Sequence, residues 1–514
     1  MDREIKKTSP LNPLSKGEGA NDETTKTKMT VTINSSPLGR SGGASSIKIA
    51  GAQGFYGDSP KAAIQIAKEK GADYLVIDSL AELTLSILQK DKLKDENLGY
   101  ARDIESMAYT LFPVAFKNGI KIVTNSGGLN PGVAAKKVAT SLEKQGIKGI
   151  KIAVITGDNL LPRLQEMQQA GLTLENLDSG VPLSSSASEI THANVYTGAH
   201  TIAEALDSGA NLILAGRVAD PCLTLGILIH HFKWNLLPSA DGEDQRARYQ
   251  NDLDKLASGI AIGHLLECGG QASGGNSYAE WPMDYSISNL GYPIAEVFED
   301  GTAIFSKLES QGGKVSRNTI REQLIYEIHD PSNYITPDVI VDLTAVKIEE
   351  IEKNKVKFSG IKGKSRPEKL KLSIGQMEGY MSDQFFFFSW PYAHQKATRF
   401  IEAVKEIWST LPVNIERAEF SLIGTNGIHG DAAPLPAKEI LDEINEIGIR
   451  VVVKHNDLKT GKICMQSIIC LGLNGPPGLI GIPGWGKTDR LMLSLWPTLI
   501  PREWVKEKVE IVES

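Results

Sequence analysis

From Ile47 to about Ala215 the chain alternates short all-apolar runs with longer stretches of helical periodicity. The runs are Ile47–Ala50, Tyr74–Ile77, Ile120–Thr124, Ile150–Ile155 and Leu212–Ala215. Between them lie helical patterns over Ala62–Lys70, Ala81–Gln89, Ile104–Asn118, Val133–Gln145 and His200–Ser208. A strand that is apolar on both faces must be covered on both faces, as in a parallel sheet between helices. Right-handed crossovers then give a doubly wound, mostly parallel α/β domain, with ligands outside the carboxyl ends of its strands.

The polar residues fall at those ends. After the first run, SIKIAGAQGFYGDSP sets Gly54, Phe55, Gly57 and Asp58 before a helix that starts near Pro60. Glycines let backbone approach a ligand, and a helix start presents unpaired N–H groups. The spacing is G-x-x-G-x-x-G, not the G-x-G-x-x-G of dinucleotide folds. After the second run come Asp78, Ser79 and Glu82, and after the third Asn125, Ser126, Gly127, Gly128 and Asn130. Gly157 and Asp158 follow the fourth, and Arg217 and Asp220 the fifth. One such junction is an ordinary turn; five along one edge predict a cleft. The segment AIGHLLECGGQASGGNS (261–277) reads as a helix stopped by Gly269–Gly270. Its residues Glu267, Gly269, Gln271, Gly274 and Gly275 form a second ligand-approach loop.

From about Pro337 the pattern changes. Val339–Ile348, Asn354–Ile361, Leu370–Ile374, Phe385–Trp390, Glu419–Ile423, Ile449–Lys454 and Lys462–Leu473 read as strands. Ala397–Thr410 and Pro436–Ile447 read as helices with one apolar face. Strands with segregated helices indicate an α+β domain, and the four phenylalanines at 385–388 belong to its core. The expected organisation is a polar tail over 1–44, the doubly wound domain over 45–325, the α+β domain over 326–480, and a connector and tail over 481–514.

Composition narrows the function classes. The chain has 514 residues, 41% apolar, with a net charge of −7, an ordinary globular balance. Nothing suggests the clustered basic face that nucleic acid requires. No apolar run approaches the ~18 residues of a membrane span. Four cysteines do not make a disulfide framework, so a reducing, cytoplasmic setting is expected. Cys464 and Cys470 would share one face of a strand.

Gly481–Thr488 fits the phosphate-loop pattern G-x-x-x-x-G-K-[ST] letter by letter. The stretch after Thr488 holds Trp496, Pro497 and Pro501 and leaves no room for the rest of a nucleotide fold, so the segment reads as a connector. The histidines are scattered and H-E-x-x-H is absent, so no metal site is expected. No G-x-S-x-G nucleophile elbow occurs. Acid–base chemistry would then fall to carboxylates at strand ends: Asp58, Asp78, Glu82, Asp158 and Asp220, with Arg217 as a fixed cation. Each also reads as a cap or a turn residue. Asp78, Asp158, Asp220 and Arg217 are the expected catalytic set. Loss of the Asp220 carboxylate should cut turnover and leave folding intact.

Taken in order, SIKIAGAQGFYGDSP, DYLVIDSLAELTLSIL, LGYARD, VTNSGGLNP, TGDNL, the stretch from ANVYTGAH to GRVADP, GHLLECGGQASGGN and LIYEIHDPSNYITPDVIVDLT resemble the acyclic terpene utilisation protein A family, from about Lys48 to Pro501. The chain is similar to the form without a C-terminal ferredoxin-like domain. Gln53 and Ser126 stand where relatives often carry other small residues. The resemblance implies a catabolic pathway for branched acyclic acids handled as coenzyme A thioesters, and lyase or hydratase chemistry on such a thioester. The predicted protein is a cytoplasmic enzyme, by default a homo-oligomer, acting on a branched acyl-CoA or related carboxylic acid, with no cofactor beyond the coenzyme A moiety. The alternatives are a non-catalytic ligand-binding or assembly subunit and a nucleotide-dependent enzyme using residues 481–488.

Overall fold

A computed structural model describes residues 46–236 and 243–514; the expected tail over 1–44 lies outside them. Along the chain, β1 (Ser46–Gln53), β2 (Tyr74–Ile77), β3 (Lys121–Thr124) and β4 (Lys151–Thr156) alternate with helices, followed by β5 (Ile190–Val195) and β6 (Leu212–Ala215). Five of these, in the order β1-β2-β3-β6-β4, pair in parallel at the centre of a ten-stranded sheet. All four residues of β2 and of β6 are buried. Helices 61–69, 103–110 and 131–144 cover one face through Ile66, Ile104, Val138 and Leu142. Helices 200–207, 222–232 and 243–267 cover the other through Ile202, Leu223, Leu256 and Ile260. The protein is therefore α/β and doubly wound, and each expected run and helix up to Ala215 has its counterpart.

The sheet is more mixed than the apolar runs imply. Strands β7 (Ile294–Phe298) and β8 (Ala303–Ser306) extend it antiparallel beyond β1. Next along the chain, β9 (Tyr334–Ile335), β10 (Ile340–Asp342) and β13 (Lys362–Lys364) make a small separate sheet. The intervening β11 (Lys347–Glu352) and β12 (Lys355–Ser359) complete the antiparallel wing. Short hairpin turns can join strands only in this sense. Thus strands from beyond residue 325 belong to the first sheet.

The second sheet contains β14 (Lys369–Ser389), β15 (Arg417–Ile423), β16 (Glu446–His455) and β17 (Ile480–Pro501), in the order β15-β16-β14-β17. The segments 370–374 and 385–390 are one continuous strand, β14, in which Phe386 and Phe388 enter the core. Strand β5 pairs with its first half, with Val195 opposite Leu372. Strand β18 (Lys508–Glu513) returns to the first sheet alongside β4.

Three expectations are corrected here. Residues 458–467 and 471–474 are helical, not a strand; the Asp457 carboxylate caps the first of these helices by accepting from the Lys459 and Thr460 amides at 2.9 and 3.0 Å. Cys464 is buried and Cys470 exposed, so they share no face. The helix expected over 436–447 shrinks to Lys438–Asp442, since Ile447, Ile449, Val451 and Val453 bury alternate positions of β16. The segment 481–488 is neither connector nor phosphate loop. It lies inside β17, with Gly486 opposite Gln384 and Lys487 opposite Asp383. A phosphate loop turns from a strand into a helix, so the nucleotide reading fails.

Candidate functional site

A cleft of about 540 Å³ opens outside the carboxyl ends of β1, β2 and β6 and is closed on its far side by the loop after Glu267. Glycine makes the join. A Cβ on Gly54 would lie 2.4 Å from the Gly269 nitrogen and 2.7 Å from the Cys268 carbonyl carbon, so only glycine lets the two loops abut. Asp58 fixes the same corner, accepting from the Gly54 amide at 3.0 Å and the Tyr292 hydroxyl at 2.7 Å.

Three acids converge inside. The Asn125 Nδ2 amide donates to Asp78 Oδ1 at 2.6 Å and reaches Asp220 Oδ1 at 3.5 Å, while its own oxygen accepts from the Ser79 amide at 2.8 Å. Asp220 receives a guanidinium fork, from Arg217 Nη1 at 2.9 Å and Nη2 at 3.3 Å. Arg217 also donates to the Leu80 carbonyl at 2.6 Å and stacks 4.0 Å from the centre of the Tyr196 ring. The third acid, Glu267, ends its helix with Oε1 2.8 Å from His264 Nδ1.

Burial sets the charges. It pushes Asp78 and Glu267 far above the ordinary carboxyl range, and the neighbouring Asp220 charge pushes both further. It lifts Asp220 less, because the Arg217 guanidinium opposes the rise. The cleft therefore gathers two carboxyls that burial makes hold their protons more tightly than usual, beside a third that Arg217 holds in an ion pair. Burial also lowers His264 to about 4, leaving a neutral ring. One proton is shared between Glu267 Oε1 and His264 Nδ1, and His264 Nε2 is buried without a hydrogen-bond partner among the described residues.

The structure gathers most of the expected site and leaves some of it outside. Gly54, Phe55, Asp58, Asp78 and Asp220 line the cleft, as do Glu267, Gly269, Gln271 and Gly275. Arg217 lines an adjoining cavity and Asn125 lies beneath, tying Asp78 in place. Asp158 is not in the cleft. Its carboxylate accepts from the Asn194 side chain at 2.7 Å and the Arg217 amide at 2.9 Å, so it positions the arginine loop. Glu82 takes the Tyr196 hydroxyl and, at 2.9 Å, Lys371. Burial raises it, but Tyr196, Lys371 and Arg217 together hold it at about 2, which makes it a fixed anion and not a proton carrier.

The remaining candidates serve the backbone. The Gly57 amide donates to Asp103. Gly127 abuts the Ala215 carbonyl, Gly128 packs on Leu88, and Gly157 packs on Lys506 and Glu507. Asn130 donates to the carbonyls of Glu96 and Leu98, both at 3.0 Å, and Gly274 abuts Tyr285. Among the described residues, no group of three or more His, Cys, Asp or Glu side chains is arranged to hold a metal ion.

A Ser–His pair elsewhere offers no rival site. Ser382 Oγ lies 3.0 Å from His455 Nε2, but a Cβ on Gly461 would sit 2.0 Å from that oxygen, so helix backbone seals the pair.

The family description "Acyclic terpene utilisation family protein AtuA" matches residues 47–511. The chain belongs to the AtuA family. No curated protein and no solved structure matches it. Membership of the AtuA family connects the protein with acyclic terpene utilisation. Among the described residues, no helix is long and apolar enough to cross a membrane. Among the cleft residues that the reading of strand ends did not single out are Tyr292, Tyr326 and Glu327. Glu327 sits at φ +61, a left-handed conformation that non-glycine residues rarely hold. The only signal for it was its place within the block LIYEIHDPSN.

Proposed function

We propose that this cleft binds a branched acyl-CoA thioester or a related carboxylic acid and moves protons beside its activated carbonyl, as a hydratase or lyase does. The observation that carries this reading is the convergence on one cleft of Asp78 and Glu267, both pushed well up by burial, and of Asp220, which is ion-paired to Arg217. Carboxyls whose affinities for protons are pushed apart supply an acid and a base at one pH. In the hydration direction, Asp220 accepts a proton from water as the oxygen bonds to the β-carbon. Asp78 then gives its proton to the α-carbon, and the reverse sequence expels water. Asp78 Oδ1 is held by the Asn125 amide at 2.6 Å and the Leu80 amide at 3.2 Å, which leaves the proton on Oδ2. Backbone at Gly269, where the loop after Glu267 meets Gly54, lines the cleft beside these acids.

The test is to incubate the full chain with saturated and α,β-unsaturated branched acyl-CoA thioesters in heavy water and follow deuterium at the α-carbon by mass spectrometry. Exchange by the wild type that falls at least ~100-fold in Asp78→Asn, with an unchanged circular dichroism spectrum, is the expected result. Exchange retained at full rate removes Asp78 from the mechanism. Tight thioester binding without exchange or turnover would favour a ligand-binding subunit.

A further inference from the structure

The cleft adjoins a second cavity, of about 450 Å³, with Asp220, Glu267 and Glu327 in the walls of both. Apolar side chains line each, so they do not set the two apart; charge does. Around the first, the shared acids are joined by Asp58 and Asp78, and among the described residues Lys61 is the one cation that faces them. Around the second, Arg217, Lys369 and Lys371 stand with Glu82 and the shared acids. Most of those acids are already answered. Glu82 takes Lys371 at 2.9 Å and Asp220 takes the Arg217 fork at 2.9 and 3.3 Å. Burial and the nearby Asp220 charge make Glu267 hold its proton more tightly than usual. Lys369 is exposed and forms no ion pair among the described residues. A negative group therefore costs less in the second cavity than in the first.

The residues of this second wall also hold polar atoms that nothing in the protein answers. Arg217 Nε, His264 Nε2 and Glu267 Oε2 are buried without a hydrogen-bond partner among the described residues, and their residues are 2%, 3% and 8% exposed. Unpaired buried polar atoms are rare, and three around one cavity point to a ligand that pairs them. Neither Arg217 nor His264 lines the first cavity. Arg217 is fixed in place. Its Nη atoms are engaged by the Leu80 carbonyl and Asp220, and its guanidinium lies 4.0 Å from the centre of the Tyr196 ring. The Nε–H is a donor left over, and guanidinium N–H groups suit carboxylates. Burial disfavours charge on both His264 and Glu267. An uncharged pair that shares one proton carries its second on Nε2 or Oε2, and offers a donor in either arrangement.

We propose that the second cavity is a carboxylate pocket, in which a free carboxylate of the ligand accepts from Arg217 Nε on the side where Lys369 supplies positive charge. This deepens the reading above and rests on it for the class of ligand. A free acid fills the pocket with its only carboxylate. A thioester fills it only by carrying a second, free one.

Calorimetric titration of the full chain tests the pocket without requiring turnover. The probes are isovalerate and its neutral isostere isovaleramide, then methylglutaryl-CoA and isovaleryl-CoA, of which only the first carries a free carboxylate on its acyl chain. Isovalerate should bind at least ~10-fold more tightly than the amide if the pocket takes a free acid, and methylglutaryl-CoA at least ~10-fold more tightly than isovaleryl-CoA if it takes a carboxylated thioester. Whichever preference appears should shrink about 3-fold in Lys369→Gln and persist in Lys61→Gln, both at exposed positions. It should vanish in Arg217→Lys, where the Nε–H is gone; the two lysine variants decide the matter if that protein does not fold. Equal affinity within both pairs would overturn the pocket. So would a preference that Lys369→Gln leaves intact, or one that Lys61→Gln reduces as much. Each of these leaves the proton-transfer reading to its own exchange assay. Absent deuterium exchange with a carboxylate preference that depends on Lys369 would overturn that reading and keep the pocket. No binding of any of the four probes would overturn both.

Discussion

Glu267 is the residue at which stability and activity should part. A carboxyl held neutral by burial keeps its proton in the folded state where the unfolded chain has lost it. The folded state then binds more protons, so stability falls as pH rises above the ordinary carboxyl range, and the contribution is complete only below it. Glu267→Gln removes this penalty while keeping the shape. It should melt with the wild type near pH 4 and about 2 °C higher at pH 8, and should lose most turnover. Equal melting shifts at both pH values would show that Glu267 is not neutral in the fold. For Asp220 the structure points to a folding cost that the expectation drawn from sequence left out. Its partner Arg217 has a side chain only 2% exposed, so Asp220→Asn strips half the compensation from a buried cation. The structure therefore predicts a folding cost of about 2–3 kcal/mol, read by urea denaturation, in addition to any loss of rate. A variant as stable as the wild type would mean that Arg217 finds another acceptor.

The first half of the fold was legible at the scale of elements because central parallel strands are apolar throughout. Ile47–Ala50, Tyr74–Ile77 and Leu212–Ala215 therefore announce themselves, and the polar junctions after them follow. The second half was less legible because its strands are long and exposed on one side. β14 runs through 21 residues with charges at Lys369, Lys371 and Glu378 interrupting its pattern, so only its two apolar ends were visible. At 458–474 the signal was present but read at the wrong period: Thr460, Cys464, Ile468 and Leu471 are buried at helical spacing, behind the cap residue Asp457. In the site, Gly54 and Gly269 could be named as ligand-approach glycines, but not as each other's neighbours. That neighbourhood yields a sharp test. Gly54→Ala adds a methyl where 2.4 Å separates it from the Gly269 nitrogen, and both neighbours are backbone that cannot step aside as a side chain would. It should cost about 1–3 kcal/mol and shift the loop after Glu267. Thermal melting together with hydrogen exchange of residues 268–275 would check both. A silent variant would show that the two loops are not packed as described.

At the scale of the whole molecule, the two sheets are threaded through one another. β5, from the first half of the chain, is hydrogen-bonded to β14 in the second sheet, and β18, from the end of the chain, borders β4 in the first. The side-chain network follows the same threads. Asn194 on β5 donates to Asp158, which holds the Arg217 amide, so the second sheet reaches Arg217 through two hydrogen bonds, of 2.7 and 2.9 Å. Glu507, just before β18, accepts from Thr201 at 3.0 Å and is raised by burial to about 7. The cavity beside Arg217 draws on both halves as well, being lined by Tyr196 and His264 together with Leu370 and Leu499. A division at residue 325, natural from the change of pattern along the sequence, would cut the β5–β14 and β18–β4 pairings and the Thr201–Glu507 bond, and would keep the Asn194–Asp158–Arg217 chain in one piece. It would also leave β4 and β5 with unpaired edges, β8 without β12, and the first half of β14 paired on one side only, to β17. The fragment 46–325 should therefore lack a cooperative melting transition and expose its core to amide exchange. The intact chain should unfold in a single step with coincident near- and far-ultraviolet signals. If the fragment instead melts sharply and protects the amides of β1, β2 and β3, the threading is decoration on an independent domain.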